Sequence, residues 1–179
     1  LHEFAVWGES VSSILGQTLN PYDLTRTPGG SSGGTGAGLA ANFGILGIGT
    51  DTVNSIRSPA SACSLAGIRP TIGLVSRGGI IPYSLTQDAA GPMARTVADA
   101  AKMLNVLAGY DPGDPATAWS VGRIEKDYTK HLKKGGLEGK RIGILRSFFG
   151  DRPVHEEVNT VTHRAIEDHH DQGKASTRS

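Results

Sequence analysis

Two glycine-rich turns that carry serine are the residues of this 179-residue sequence best suited to chemistry. The first is Gly-Gly-Ser-Ser-Gly-Gly over residues 29–34, and the second is Gly-Thr-Asp-Thr-Val-Asn-Ser over residues 49–55. A serine hydroxyl can attack a carbonyl carbon when a base activates it and N–H donors stabilise the oxyanion. Glycine lets main-chain N–H groups approach a substrate, because no Cβ stands in the way. The turns therefore predict a nucleophilic site around Ser31 and Ser55, which are 24 positions apart.

The segments between the turns must bring them together. Residues 37–42 have small side chains and predict a short, closely packed helix, and the apolar run at residues 45–50 predicts a buried strand. A helix followed by a strand returns the chain, so both turns are expected at one end of a sheet. Ligands gather at such ends in α/β proteins.

Later segments continue the alternation of strand and helix. Residues 96–107 predict a helix that begins with a capping box of Thr96 and Asp99. Residues 140–145 predict a strand and residues 154–169 a helix, with short extended pieces at 67–73 and 79–82. Alternation of this kind is typical of the α/β class.

Composition excludes several classes of function. Eighteen basic residues nearly balance seventeen acidic ones, which favours no nucleic-acid or membrane partner. Cys63 is the only cysteine, so neither an internal disulfide nor a cysteine-based zinc site is expected, and its small neighbours predict burial. The histidines show no metal-binding spacing, and we expect no metal or cofactor. No apolar run of ~18 residues or signal peptide is seen, which predicts a cytoplasmic protein.

The turns have three other possible interpretations. A flexible glycine-serine linker is disfavoured because residues 29–38 lie between apolar segments. A phosphate-binding loop would need a lysine-containing or three-glycine pattern that is missing here. Ser-His-Asp catalysis stays open, although no histidine is near either turn in sequence.

The two turns together resemble the signature of the amidase-signature hydrolases. The likeness is carried by Gly-Gly-Ser-Ser-Gly-Gly followed by Gly-Thr-Asp-x-x-x-Ser-Ile-Arg-x-Pro-Ala, and it continues through residues 67–76, 88–100 and 109–111. It implies an α/β protein that forms part of an α/β/α sandwich around a mixed β-sheet. Residues 1–179 would then be a partial amidase domain, with a signature core at about 25–110 and a less similar part at 111–179.

The resemblance also implies a reaction and a set of residues. The reaction is hydrolysis of a carboxylic amide, a small molecule, through an acyl-enzyme and without a cofactor. Ser55 would be the nucleophile, and Ser31, after a cis peptide bond, would pass a proton between Ser55 and the base. Ser32 would support this turn by hydrogen bonding. The backbone N–H groups of the second turn would form the oxyanion hole, at Thr52, Val53, Asn54 and Ser55.

Two departures from the family pattern carry expectations of their own. The family's base is a neutral lysine upstream of the first serine turn, whereas no lysine precedes Lys102 here. We therefore expect the chain to be a fragment without that base, and inactive or nearly so when isolated. Val53 and Asn54 replace two glycines, so Val53 either has an ordinary negative φ or reshapes the oxyanion hole.

The charged residues near the second turn have two interpretations. Asp51 and Arg57 could bind substrate, but the favoured interpretation is that they hold the turn through hydrogen bonds. Asp88 and Arg69 are likewise interpreted as structural. An alternative function is a non-catalytic scaffold or one component of a glutamine-dependent amidotransferase, and nothing in the sequence excludes a homodimer.

Overall fold

The computed structural model describes residues 4–6, 8–137 and 139–171. The chain divides into two compact units, Leu1–Lys130 and His131–Ser179. The regular elements are β1 (Val11–Ser12), β2 (Gly16–Gln17), α1 (Gly33–Ala40), β3 (Leu46–Asp51), α2 (Arg57–Ala62), β4 (Ala66–Gly67), β5 (Ala89–Ala94), α3 (Val97–Leu107) and α4 (Glu156–Asp171). Short 3-10 helices lie at Pro115–Ser120, Tyr128–His131, Arg146–Phe148 and Pro153–His155.

A three-stranded sheet in the order β3-β5-β4 forms the centre of the first unit. β5 pairs antiparallel with both neighbours, and Asp51 at the end of β3 lies opposite Ala89 at the start of β5. A separate hairpin joins β1 and β2. The strand predicted at residues 45–50 is therefore confirmed with a shift of one residue, and it delivers Asp51 to the second serine turn. The prediction that it is buried is wrong, because β3 is an edge strand in which Leu46 and Ile48 are exposed.

The central strand β5 was missed in the sequence because it reads Ala-Ala-Gly-Pro-Met-Ala. Proline has no N–H for a ladder and is rare in central strands. In this sheet Pro92 lies opposite Ile48, whose carbonyl accepts a hydrogen bond from the Thr35 hydroxyl at 3.1 Å. The pairing of β3 with β5 thus requires no N–H from Pro92. On the other side of β5, the Pro92 carbonyl accepts a hydrogen bond from Ile68 N at 3.0 Å.

Hydroxyl groups of the α1 segment bind the edge of β3 that faces away from β5. Ser32 Oγ accepts from Thr50 N at 3.1 Å and donates to Thr50 O at 3.2 Å, beside the Thr35 contact with Ile48. These side chains satisfy backbone groups that an edge strand otherwise leaves unpaired. The first serine turn is thereby attached to the strand that leads into the second.

Two small apolar clusters support the sheet. The cluster under the serine turns contains Leu39, Ile56, Ala60 and Met93, which come from α1, the second turn, α2 and β5. The other cluster includes Val75, Ala90 and Leu104 and fixes α3 to the sheet. The predicted Thr96 cap of α3 is confirmed, because the Thr96 hydroxyl accepts from Asp99 N at 3.1 Å. The reciprocal half of the capping box is not formed, since the Asp99 carboxylate accepts from the Thr96 hydroxyl at 2.7 Å and not from Thr96 N. Cys63 is buried, as its neighbours predicted.

Two segments predicted to be extended, one in each unit, are not strands in the structure. Residues 140–145 form no strand, and residues 79–82 in the first unit form none either. A strand requires a partner with which to exchange backbone hydrogen bonds, and no pairing among the described residues involves these segments. The predicted helix at 154–169 is confirmed as α4, two residues later along the chain.

Candidate active site

The second serine turn is built around a buried carboxylate. Asp51 is fully buried at the end of β3, and its Oδ2 accepts a hydrogen bond from Ile56 N at 3.0 Å across the turn. A carboxylate that accepts from the backbone in this way closes the turn over residues 52–55. Ser55 is half-buried immediately before Ile56, whose side chain is in the core.

Two arginines from later in the chain form ion pairs with that carboxylate. Arg57 Nε lies 3.3 Å from Asp51 Oδ2, and Arg69 Nε lies 3.2 Å from Asp51 Oδ1. The Arg69 N–H is not aligned for a hydrogen bond, so this contact is a charge–charge attraction. Burying a carboxylate is costly unless cationic or hydrogen-bonding partners accompany it. Asp51 and Arg57 are thus joined within the turn by hydrogen bonds, and Arg69 contacts the same carboxylate.

The first serine turn contains a buried hydroxyl without a partner. The peptide bond between Gly30 and Ser31 is cis, and Ser31 is 2% exposed. Ser31 Oγ has no hydrogen-bond partner within the described part of the chain. Buried polar groups are nearly always paired, so an unpaired hydroxyl calls for an explanation such as a role in catalysis. The adjacent hydroxyl of Ser32, in contrast, is hydrogen-bonded to both the N–H and the carbonyl of Thr50.

A backbone hydrogen bond joins the two turns directly. Ser32 N donates to Ser55 O at 3.2 Å. No hydrogen bond links the Ser31 and Ser55 hydroxyls, and within the described residues the Ser55 hydroxyl makes none. Catalytic hydrogen bonds are often long in ligand-free sites and shorten only when substrate binds. The turns that sequence analysis placed together are therefore in contact through the backbone.

The amides of the second turn are open to a ligand. Val53 and Asn54 are exposed, and neither has a positive φ, so Val53 adopts ordinary negative φ without strain. Across residues 4–6, 8–137 and 139–171, no acceptor takes a hydrogen bond from the N–H groups of Thr52, Val53, Asn54 or Ser55. Unpaired N–H groups at an exposed turn can bind a carbonyl oxygen or an oxyanion.

Ser10 is a site residue that sequence analysis missed. Its buried hydroxyl accepts from Gly33 N at 2.9 Å and lies 2.9 Å from Gly29 O and 3.1 Å from Ser31 O. A hydroxyl has one proton, so the two carbonyls share it. A Cβ on Gly33 would approach Ser10 Oγ to 2.3 Å, which explains why glycine stands there. No local pattern marks Ser10, since its partners lie about twenty residues away.

Asp88 and the loop before it border the second turn. Asp88 holds this loop by accepting hydrogen bonds from Tyr83 N and Ser84 N, in line with the structural interpretation from the sequence. It also holds the turn, because the Thr52 hydroxyl donates to Asp88 Oδ1 at 2.5 Å. A cavity of about 350 Å³ lies next to Asp88, with Ile80 and Leu85 among its apolar walls. Its volume is within the ~300–1,000 Å³ range of ligand pockets. Arg77 also lines the cavity and forms a two-pronged ion pair with Asp114.

The Arg77–Asp114 pair predicts an acid-dependent loss of stability. Hydrogen bonds from the Arg77 guanidinium hold the pKa of Asp114 well below its ordinary value of ~3.9. A carboxyl whose folded pKa is depressed stabilises the fold above that ordinary value, and the contribution is lost as pH falls toward the folded pKa. We expect Asp114→Asn to lower the free energy of unfolding by about 1.5–3 kcal/mol at pH 7. In urea titrations the difference from wild type should shrink below pH ~4; a constant difference at every pH would contradict this role.

Metal-binding clusters and membrane-spanning helices are not found in the described part of the chain. Among its residues, no group of three or more His, Cys, Asp or Glu side chains could hold a metal ion. Of its helices, none combines the length and apolar character needed to cross a membrane.

Comparison with known proteins places this arrangement in a family. The Amidase family model matches residues 1–177. A glutamyl-tRNA(Gln) amidotransferase subunit from Rubrobacter xylanophilus is 44% identical over 171 residues, which is 94% of this chain and 35% of that protein. The chain thus spans about a third of the length of the curated relatives it matches.

Solved structures agree with the family match. The native peptide amidase of Stenotrophomonas maltophilia is 42% identical, with a TM-score of 0.74 over 98% of this chain and 36% of that chain. A glutamyl-tRNA(Gln) amidotransferase subunit from Thermotoga maritima is 31% identical, with a TM-score of 0.86 over 99% of this chain and 38% of that chain. These likenesses confirm the predicted α/β fold and the resemblance drawn from the two serine turns. The chain belongs to the amidase family.

Proposed function

We propose that the protein hydrolyses a carboxylic amide through an acyl-enzyme on Ser55, with Ser31 relaying the proton. The observation that carries this proposal is the buried Ser31 hydroxyl without a partner, in a turn bonded to the Ser55 turn. The unpaired amides of Val53, Asn54 and Ser55 supply the donors that such a reaction needs for the oxyanion. Family membership supports action on a carbon–nitrogen bond.

The proposed cycle conserves protons and bonds. Ser55 Oγ attacks the amide carbonyl carbon while its proton passes to Ser31, which passes its own proton on toward the leaving nitrogen. The C–N bond breaks and releases ammonia or an amine, and an ester on Ser55 remains. Water then adds to the ester carbonyl, and Ser31 relays a proton from the water to the departing Ser55 Oγ. The ester bond breaks, the carboxylic acid leaves and the Ser55 hydroxyl is restored. The backbone amides of the turn bind the carbonyl oxygen in both halves of the cycle.

Covalent labelling tests the nucleophile. Full-length protein would be treated with a fluorophosphonate, digested, and the adduct located by mass spectrometry. We expect the adduct on Ser55, and Ser55→Ala should lose both labelling and release of ammonia from a small aliphatic or aromatic amide. Ser61→Ala is the matched control, because Ser61 is exposed on α2 six positions later and should behave as wild type. An adduct on another residue, or no labelling of wild type, would overturn the proposal.

A second candidate follows from the relatives that are named as subunits of a glutamyl-tRNA(Gln) amidotransferase. On this alternative the protein would be the amide-cleaving component of a glutamine-dependent amidotransferase. Ammonia release from glutamine, measured for the isolated protein and for protein purified with its native partners, separates the two. Activity on simple amides by the isolated protein supports the hydrolase, whereas glutamine cleavage that requires the partners supports the amidotransferase component.

A further inference from the structure

Backbone carbonyl contacts orient two of the open amides in the second turn, those of Asn54 and Ser55. Val53 O accepts a hydrogen bond from Arg57 Nη2. Asn54 O accepts one from Ser58 N at 2.8 Å. A trans peptide group is planar, so its C=O and N–H point in opposite directions, and a held carbonyl fixes the next residue's N–H. These contacts therefore set the directions of the Asn54 and Ser55 amides.

The N–H of Val53 depends on a different anchor. It belongs to the peptide group of Thr52 O, which accepts no hydrogen bond from any described residue. Thr52 is held through its side chain, whose hydroxyl donates to Asp88 Oδ1 at 2.5 Å. A hydrogen bond to an ionised carboxylate is short and roughly twice as strong as a neutral one. The side-chain contact thus replaces the missing carbonyl contact.

Asp88 is itself immobilised, which makes it an effective anchor. It is 8% exposed, and its Oδ2 accepts from Tyr83 N at 2.8 Å and from Ser84 N at 2.9 Å. It directly precedes Ala89, the first residue of β5, which pairs with Asp51 at the other side of the turn's base. Sheet and loop together therefore prevent the carboxylate from following a displaced Thr52.

We propose that Asp88 is a positioning residue that, through the Thr52 hydroxyl, aims the Val53 amide at the oxyanion. This inference rests on the proposed function, since it assigns a task within that reaction. Asp88 touches neither the nucleophile nor the proton relay in any hydrogen bond of the described residues. Its contribution is realised in the transition state, when negative charge gathers on the substrate oxygen.

A pair of Thr52 variants in full-length protein tests the proposal. Thr52→Val keeps the shape of the side chain and removes the hydroxyl, while the bonds from Tyr83 and Ser84 to Asp88 stay in place. We expect it to lower kcat and kcat/KM together by about 10- to 100-fold, because the lost interaction acts only in the transition state. The rate constant for fluorophosphonate inactivation should fall in parallel. Thr52→Ser retains the hydroxyl and should recover most of the lost kcat.

The possible results separate this inference from the proposed function. If wild type hydrolyses an amide and Thr52→Val keeps its kcat, the positioning role is overturned and the function stands. A Thr52→Ser variant as slow as Thr52→Val also overturns it, because the hydroxyl would then not be the cause. A KM increase with unchanged kcat would assign Thr52 to ground-state binding and reject the proposal. A wild type that neither hydrolyses amides nor takes the label overturns both proposals.

Discussion

Replacing Ser31 with alanine is expected to lower the rate of amide hydrolysis by about 10²- to 10⁴-fold, the usual contribution of a positioned proton-transfer group. The same change should leave the free energy of unfolding unchanged or slightly higher. Ser31 Oγ is buried without a partner in the described residues, so its removal breaks no hydrogen bond and relieves a desolvated polar group. Ammonia release and urea unfolding of the same full-length variant measure the two effects.

Ser32→Ala is the matched control, because it deletes the neighbouring buried hydroxyl. The Ser32 hydroxyl is bonded to Thr50 N and Thr50 O, so its loss leaves a β3 amide unpaired. We expect it to lower the free energy of unfolding by about 1–3 kcal/mol. Ser31→Ala should thus lose activity and keep its stability, whereas Ser32→Ala should lose stability. Equal losses of stability in both variants, with activity retained in Ser31→Ala, would contradict the relay.

Asp51→Ala is expected to have the largest effect on stability, lowering the free energy of unfolding by about 3–5 kcal/mol. Asp51 is fully buried and neutralises both Arg57 and Arg69. Alanine would leave the partly buried guanidinium of Arg69 without its anion and Ile56 N without its acceptor. Urea unfolding of full-length protein measures the loss.

The control for Asp51 is Asp23→Ala, which removes the acidic partner of a surface ion pair with Arg26. Both side chains of that pair are exposed enough for water to screen their attraction, and such pairs contribute about 0–1 kcal/mol. An Asp51→Ala variant no less stable than Asp23→Ala would show that the buried carboxylate does not hold the turn. We expect Asp51→Ala to lose fluorophosphonate labelling, because Ser55 would be displaced, and Asp23→Ala to keep it.

Features with a local cause were predictable from the sequence. The α3 cap is an example, since Thr96 and Asp99 are three residues apart and interact within one turn of helix. The apolar run that became β3 is another. Each of these signals depends on neighbours within a few positions, where sequence spacing and spatial distance are nearly equivalent.

Features with distant partners were missed or mispredicted. Residues 140–145 have the composition of a strand but no strand to pair with in the described chain. β5 has the composition of a loop, yet it lies between two strands, and its pairing with β3 requires no N–H from Pro92. Ser10 carries no signal at all until the fold brings it beneath the first serine turn.

The sequence by itself determined which chemical groups are present: two serine hydroxyls, small residues that expose backbone amides, and an acid and arginines beside them. Only the tertiary structure decided how these groups are used. The Ser31 hydroxyl is unpaired among the described residues, whereas the Ser32 hydroxyl is hydrogen-bonded to Thr50 of β3. Asp51 forms ion pairs with two arginines. Hydrogen bonding and burial depend on which groups meet across the fold. Two adjacent serines of identical chemistry can therefore acquire opposite roles.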